Sequence, residues 1–349
     1  MLDEILELLS VPGVSGFEGP VRESIKARAQ WYAETSVDRM GNLHAEVGGG
    51  SPHIMLIAHM DENGFVITRI EDSGFLRFRT IGGWDDRCLV GRVVNVLSSK
   101  GTVKGVIGLL PPHLMTKPTE EMAKVLRSED LHIDIGCTSA KEAQDLGIEA
   151  GTPVAPEKHP AMMVNEMISA RGLDDRVGCA VLLEVLKRLH GKMVGSRVHY
   201  VWSVQEEIGL RGAQMLSMAH RPDAALVVDT CSASDVPGVA SHFSHIRLGG
   251  GPVIRFIDNR AIATPGLVAF VRKVAEERGI TVQMGISGGS TDGAMAQAGG
   301  AAMVPLGFPI RYTHSPVECV SMKDVEEMVR LLEALILDMD QGGWDAEKV

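Results

Sequence analysis

The sequence predicts an α/β fold interrupted by a β-rich insertion, and three observations carry that reading. Apolar runs of strand length alternate with helical patterns in the first and last parts of the chain. The stretch between them, from about Phe65 to Ala161, is instead rich in Gly, Val and short strand-like pieces. Finally, 349 residues with 45% hydrophobic content can bury a large core and exceed the usual size of one domain. The expected partition is a discontinuous layered domain, residues 1–64 and 162–349, with a β-rich domain inserted at 65–161.

Four segments read as strands of the layered part: "HIMLIAH" (His53 to His59), "RVHYVWSV" (Arg197 to Val204), "AALVVD" (Ala224 to Asp229) and "AAMVPL" (Ala301 to Leu306). "DDRVGCAVLLEVLKRL", from Asp174, is a well-buried helix with Val177, Ala180 and Val181 on one face, followed by Leu182, Val185, Leu186 and Leu189. The last helix, "SMKDVEEMVRLLEALILDM", opens with Ser321 and Asp324 in the spacing of a capping box. Within the insertion, "GFLRFRTIGG", "RVVNVLSS" and "GTVKGVIGLL" read as strands, with helix only near "PTEEMAKVL" and "SAKEAQDLG". No internal repeat or low-complexity linker interrupts this order.

Composition narrows the partners. Lys plus Arg total 34 against 45 Asp plus Glu, a net charge of −11 without any basic run, which argues against nucleic acid or an anionic membrane and for a small or peptidic ligand. The opening "MLDEILELLS" is acidic where a signal peptide is basic, and no apolar run reaches membrane-spanning length, so a cytoplasmic protein is expected. Five scattered cysteines without CxxC spacing predict free thiols, not disulfides or a thiolate metal site.

The charged residues on this frame point to chemistry. Glu206 and Glu207, in "VWSVQEEIGL", sit together behind a buried strand, where two carboxylates repel and lose hydration unless a positive partner compensates them. His59 ends one strand, Asp229 ends another, Asp174 opens a helix, and His314 in "RYTHSPVEC" follows the last strand-like run. Strand ends are where α/β sheets gather ligands. Imidazoles and carboxylates from five separate segments suit a pair of divalent metals with one carboxylate bridging them. Each residue alone has a bland reading: a histidine at a strand end is often a hydrogen-bonded core residue, Asp174 is placed as an N-cap, and paired glutamates usually mark a solvated helix face. Asp61, in "AHMDENG", stands close enough to hold the far imidazole nitrogen of His59 and fix its tautomer.

In order and spacing, "AHMDENG", "ARGLDDRVG", "SVQEEIGLRGA", "LVVDT", "GGSTDG" and "YTHSPVE" resemble the M42 metallo-aminopeptidases, the glutamyl and deblocking aminopeptidase group with TET-like members. The resemblance runs nearly end to end and includes "GVSGFEGPVRE" near the N-terminus. It implies a zinc-peptidase-like catalytic domain with a central mixed sheet flanked by helices, and a barrel or PDZ-like dimerisation domain as the insertion. It further implies that His59 and Asp229 hold one metal, Glu207 and His314 the other, with Asp174 bridging and Glu206 as general base. Neighbouring strand residues project to opposite sides, which agrees with different tasks for Glu206 and Glu207. The implied cofactors are two divalent ions, zinc, cobalt or manganese. The implied substrates are peptides, and the implied assembly is a homo-oligomer from dimer to dodecamer, built on the insertion.

Several residues invite a role and are given none. "WDDRC" (Trp84 to Cys88) repeats the "DDR" of Asp174 but precedes a strand, so it is assigned a structural part; Asp175 is read as local support. Asp235, His242 and His245 fall where the resemblance is poor. "GGSTDGA" lacks the lysine of a phosphate loop, and the resemblance places it at the substrate pocket, with Thr291 and Asp292 touching the peptide. Two other functions fit parts of the pattern: a glycoside hydrolase using paired carboxylates without metal, or a non-catalytic oligomeric peptide-binding protein. Activity that survives a chelator marks the first; loss of Glu206 or His314 would mark the second.

Overall fold

The computed structural model describes residues 1–192, 194–240 and 245–345. Helices α1 (Leu2–Ser10) and α2 (Gly19–Ala29) lead into strands β1 (Glu34–Val37), β2 (Leu43–Val47) and β3 (Gly50–His59). Then come β4 (Gly64–Ile70), β5 (Leu76–Ile81), β6 (Arg92–Ser98), β7 (Gly101–Ile107), α3 (Pro118–Met122), β8 (Ile133–Asp134), α4 (Ala140–Asp145) and β9 (Pro153–Pro156). The chain continues through β10 (Ala161–Met163), β11 (Met167–Ala170), α5 (Leu173–Leu189), β12 (Ser196–Ser203), α6 (Arg211–Ala219), β13 (Ala224–Ser232) and β14 (Val253–Ile257). It ends with α7 (Pro265–Glu277), β15 (Gln283–Ile286), α8 (Gly293–Ala298), β16 (Ala302–Ile310), β17 (Glu318–Ser321) and α9 (Met322–Asp340).

An eight-stranded mixed sheet in the order β1-β2-β12-β3-β13-β16-β14-β15 forms the centre. Its four middle strands, β12, β3, β13 and β16, are parallel, and such strands are buried on both faces, which is why they read as nearly continuous apolar runs. Alternation still sorts the side chains. Ile54, Leu56, Ala58, Leu226 and Val228 join the larger core with α1, α2, α5, α7 and α9. Met55, Ile57, Val201, Ala225 and Val227 face the other way, onto α6 and α8. His59 and Asp229 continue this second series at the carboxyl end of the sheet.

Strands β4, β5, β8, β7, β6 and β9 close into a barrel with its own core, including Phe65, Ile67, Phe78, Val94, Val96 and Val154. Closure removes the free edges that short strands would expose. A three-stranded sheet, β10-β11-β17, lies outside it. One sequence expectation fails here: Ser321 precedes α9 but makes no side-chain cap, and Asp324 instead accepts the N–H groups of Gly249 and Gly251, each at 2.7 Å. The loop before β14 offers two N–H donors, and they take the carboxylate that the capping box would have used.

Candidate active site

The site lies where the four parallel strands end. His59 is the last residue of β3, Asp229 lies near the end of β13, and Asp174 sits in the first turn of α5 beneath them. Glu207 and His314 follow β12 and β16. Nε2 of His59 is 3.2 Å from Oδ1 of Asp174 and 3.9 Å from Oδ1 of Asp229. Nε2 of His314 is 3.5 Å from Oδ2 of Asp174 and 3.2 Å from Oε2 of Glu207. Asp174 therefore belongs to two groups of possible metal donors at once, one with His59 and Asp229 and one with Glu207 and His314. The N-cap reading for Asp174 falls: the start of α5 is kinked at Asp174 and Asp175, and it is Asp175 that accepts the Gly178 N–H, at 3.1 Å, as local support.

Asp61 ties these parts together. Its Oδ1 is 3.4 Å from Nδ1 of His59, which leaves Nε2 for the site. The same carboxylate accepts the Ser15 hydroxyl at 2.7 Å and the N–H groups of Glu206 and Glu207 at 3.0 and 3.2 Å. The expected strand alternation of the two glutamates is corrected here: β12 stops at Ser203, and both lie in a turn that Gln205 enters at φ 55°. The turn, pinned by Asp61, sets their positions. Thr291 and Asp292 are likewise not on the pocket wall. Thr291 is fully buried, Asp292 accepts the Ser203 hydroxyl beneath the floor, and Ser287, Gly289 and Ser290 face the cavity in their place.

Charge is unbalanced in this space. Burial, reinforced by the charge of Asp174, pushes Asp229 up to about 7, and burial with Asp229, Glu207 and Asp292 nearby raises Glu206 well above the usual carboxylate range. His314, despite burial, is held up at about 11 by hydrogen bonds to Asp174 and Glu207. Buried carboxylates that repel one another, interleaved with imidazoles that present one nitrogen each, are the donor set that divalent cations take. The residues present thus fit metal.

A model of the M42 glutamyl aminopeptidase family matches residues 41–331. The chain belongs to that family. Members are metal-dependent aminopeptidases, and this chain is accordingly a hydrolase acting on the N-terminal residues of peptides. It is 31% identical to the glutamyl aminopeptidase of Lactococcus lactis subsp. cremoris, covering 97% of both chains. It is also 31% identical to the lysyl aminopeptidase of Pyrococcus furiosus, over 95% of this chain and 96% of that one. Among solved structures, the Pyrococcus horikoshii TET1 peptidase, described as assembling into a tetrahedron or a large octahedral shell, aligns at TM-score 0.90 and 40% identity. That alignment covers 96% of this chain and 98% of that one.

The decoys of this aminopeptidase settle into structure. Asp85 pairs with Arg87, and Trp84 donates to the Gly64 and Ile81 carbonyls at 3.2 Å while packing on Phe65. Asp235 is held by both ends of the Arg311 guanidinium at 2.8 and 2.7 Å, His245 is exposed, and His242 lies outside the described residues. All five cysteines are free. No helix among the described residues is long and apolar enough to cross a membrane.

Two residues escaped the sequence reading. Glu318, fully buried, accepts the His314 N–H at 2.9 Å on Oε1 and the Gly172 and Asp174 N–H groups at 2.9 and 3.3 Å on Oε2, and pairs with Arg171. It holds His314 in a left-handed conformation, φ 60°, that residues other than glycine rarely adopt. An acid inside the apolar run "VECV", four residues after His314, was its signal. Arg255 is a buried cation on β14 at the pocket wall, with Nη1 3.9 Å from Asp229, Nη2 3.3 Å from Asp258 and Nε without a hydrogen bond. Its signal was a lone arginine in "VIRFI".

Proposed function

We propose that the chain is a dinuclear aminopeptidase in which His59 and Asp229 hold one cation, Glu207 and His314 the other, and Asp174 both. The observation that carries this reading is the division of the Asp174 carboxylate, Oδ1 toward His59 and Oδ2 toward His314. Nitrogen and oxygen donors without thiolate suit zinc, cobalt or manganese. Divalent ions in such a cradle supply Lewis acidity toward a water and a carbonyl oxygen. Glu206 has no place in either donor group, yet Asp61 fixes its backbone beside both. It takes one proton from the attacking water as the water oxygen bonds to the scissile carbonyl carbon, and returns it to the leaving nitrogen as the C–N bond breaks. A metal-free glycosidase needs two acids across a sugar and has no use for the two imidazoles interleaved with them. The non-catalytic alternative loses its ground, since His314 and Glu206 both stand at the site.

Arg255 supports a preference for an acidic first residue. A buried guanidinium at the pocket wall, set between Asp229 and Asp258 with its Nε unbonded, favours a carboxylate side chain over a cationic one. The segment 65–161 is read as an inserted oligomerisation domain. The insertion presents Val93 and Val106 of the barrel, and Leu109, Leu110, Met122 and Val125 of the segment after β7, to solvent, and apolar exposure on that scale supports contacts with further copies, from dimer to dodecamer. The free thiols support a reducing, cytoplasmic setting.

Mass spectrometry of peptides with free and N-acetylated termini tests the activity. Stepwise loss of residues from the free terminus alone is expected, and internal cleavage of the acetylated peptide refutes the reading. Light scattering tests the assembly, and a single species at the 37.5 kDa chain mass overturns it.

A further inference from the structure

Near the opposite end of the same sheet, the structure gathers histidines that the reaction does not use. His44 projects from β2 and His199 from β12, both buried, and His220 directly follows α6. One ring nitrogen from each lies within 4.8 Å of the other two. His44 Nδ1 and His199 Nε2 are 2.8 Å apart, and the ring centroids of His199 and His220 are 4.8 Å apart. His53, on β3, stacks on His199 with centroids 5.8 Å apart. By register, His199 pairs with Met55 and Ser203 with His59, so His199 lies four residues, roughly 13 Å along the strand, from the catalytic end, and His44, level with Val201, lies two residues from it on a strand farther out.

Two features make this more than a packed set of rings. First, the converging nitrogens come from three separate elements, and two of the three rings, His44 and His199, are buried away from water. Second, carboxylates flank the cluster: Asp38 stands 3.4 Å from Nε2 of His44, leaving Nδ1 for the cluster, which is the carboxylate–imidazole relay found behind metal ligands. Glu46 stands 3.7 Å from Nε2 of His199.

We propose that His44, His199 and His220 form a transition-metal site of the zinc class, separate from the Asp174 centre. Tetrahedral zinc–nitrogen bonds near 2.0–2.1 Å place ligand nitrogens roughly 3.3 Å apart, so the His44–His199 pair opens by about half an ångström on loading. The metal would fasten β2 to the end of α6, the helix that follows the Glu206–Glu207 turn. Its role is structural, because the reacting groups lie at the other end of the strands.

Zinc content of the chelator-treated and reloaded enzyme decides the matter, independently of turnover. H220N alters a half-buried ring at a helix end and is expected to lose one equivalent of zinc per chain relative to the unaltered enzyme; an unchanged content overturns the proposal. A second arm spares the cluster: in D174A, zinc that remains bound should show an imidazole-dominated shell by X-ray absorption. No retained zinc, or a shell dominated by carboxylate oxygen, overturns it as well.

Discussion

Oδ1 of Asp174 lies 3.2 Å from Nε2 of His59, while the other oxygen of the same carboxylate faces the second histidine, His314. One side chain thus serves both halves of the donor set, whereas His59 serves one. Asp174→Ala should lower metal content at both positions, and His59→Ala mainly at one. Elemental analysis of the two purified variants checks this, with equal single-site losses counting against a shared Asp174.

Glu206→Gln removes the proton carrier and no donor, and it leaves the Glu206 N–H bond to Asp61 in place. Metal content and fold should be unchanged while turnover falls roughly 10²–10⁴-fold, the usual range for a positioned acid–base group. Steady-state kinetics beside elemental analysis reads both quantities, and normal turnover would remove Glu206 from the mechanism.

Arg255→Met keeps much of the volume on the pocket wall and removes the charge. Release of N-terminal Glu or Asp should fall roughly 10–100-fold in kcat/KM relative to release of Leu, the size of one lost charge-assisted hydrogen bond. A panel of aminoacyl chromogenic substrates measures the ratio; an equal decline across the panel would assign Arg255 to holding Asp229 and Asp258 instead of substrate.

Glu18 gives a pH signature away from the donors. Burial, with the charge of Asp61 nearby, raises it from 4.5 to about 7. The folded chain therefore holds this proton more tightly than the unfolded chain, so the favourable contribution is complete below pH 4.5 and is lost as pH rises through about 7. Glu18→Gln keeps the single oxygen that accepts the Gly16 and Gln205 N–H groups at 2.7 and 3.1 Å. The variant should be more stable than the parent at pH 8, by at most about 3 kcal/mol, with the gap shrinking toward pH 5. Paired thermal melts at the two pH values measure it.

The central strands were legible because parallel strands covered on both faces leave long apolar runs, and their ends marked where His59, Asp229 and His314 would stand. Tertiary partners of polar groups left no such trace. Asp324 has the spacing of a capping box yet serves Gly249 and Gly251, a choice made by a loop distant in sequence. Thr291 and Asp292 stand in a polar, glycine-rich stretch that reads as pocket wall, but the Ser203 hydroxyl draws Asp292 below it. The turn carrying Glu206 and Glu207 depends on a positive φ at Gln205 and on Asp61, and neither shows in an apolar pattern.

Glu318 has a bearing on biosynthesis. The carboxylate that accepts from both Asp174 and His314 stands on β17, which follows every strand of the central sheet in chain order. During translation α5 emerges well before it, and the last strand of the sheet only just before it. Until β17 pairs with β11, the Asp174 N–H lacks its acceptor and His314 has nothing to hold its backbone. A nascent chain therefore holds these two groups unset until Glu318 has left the ribosome.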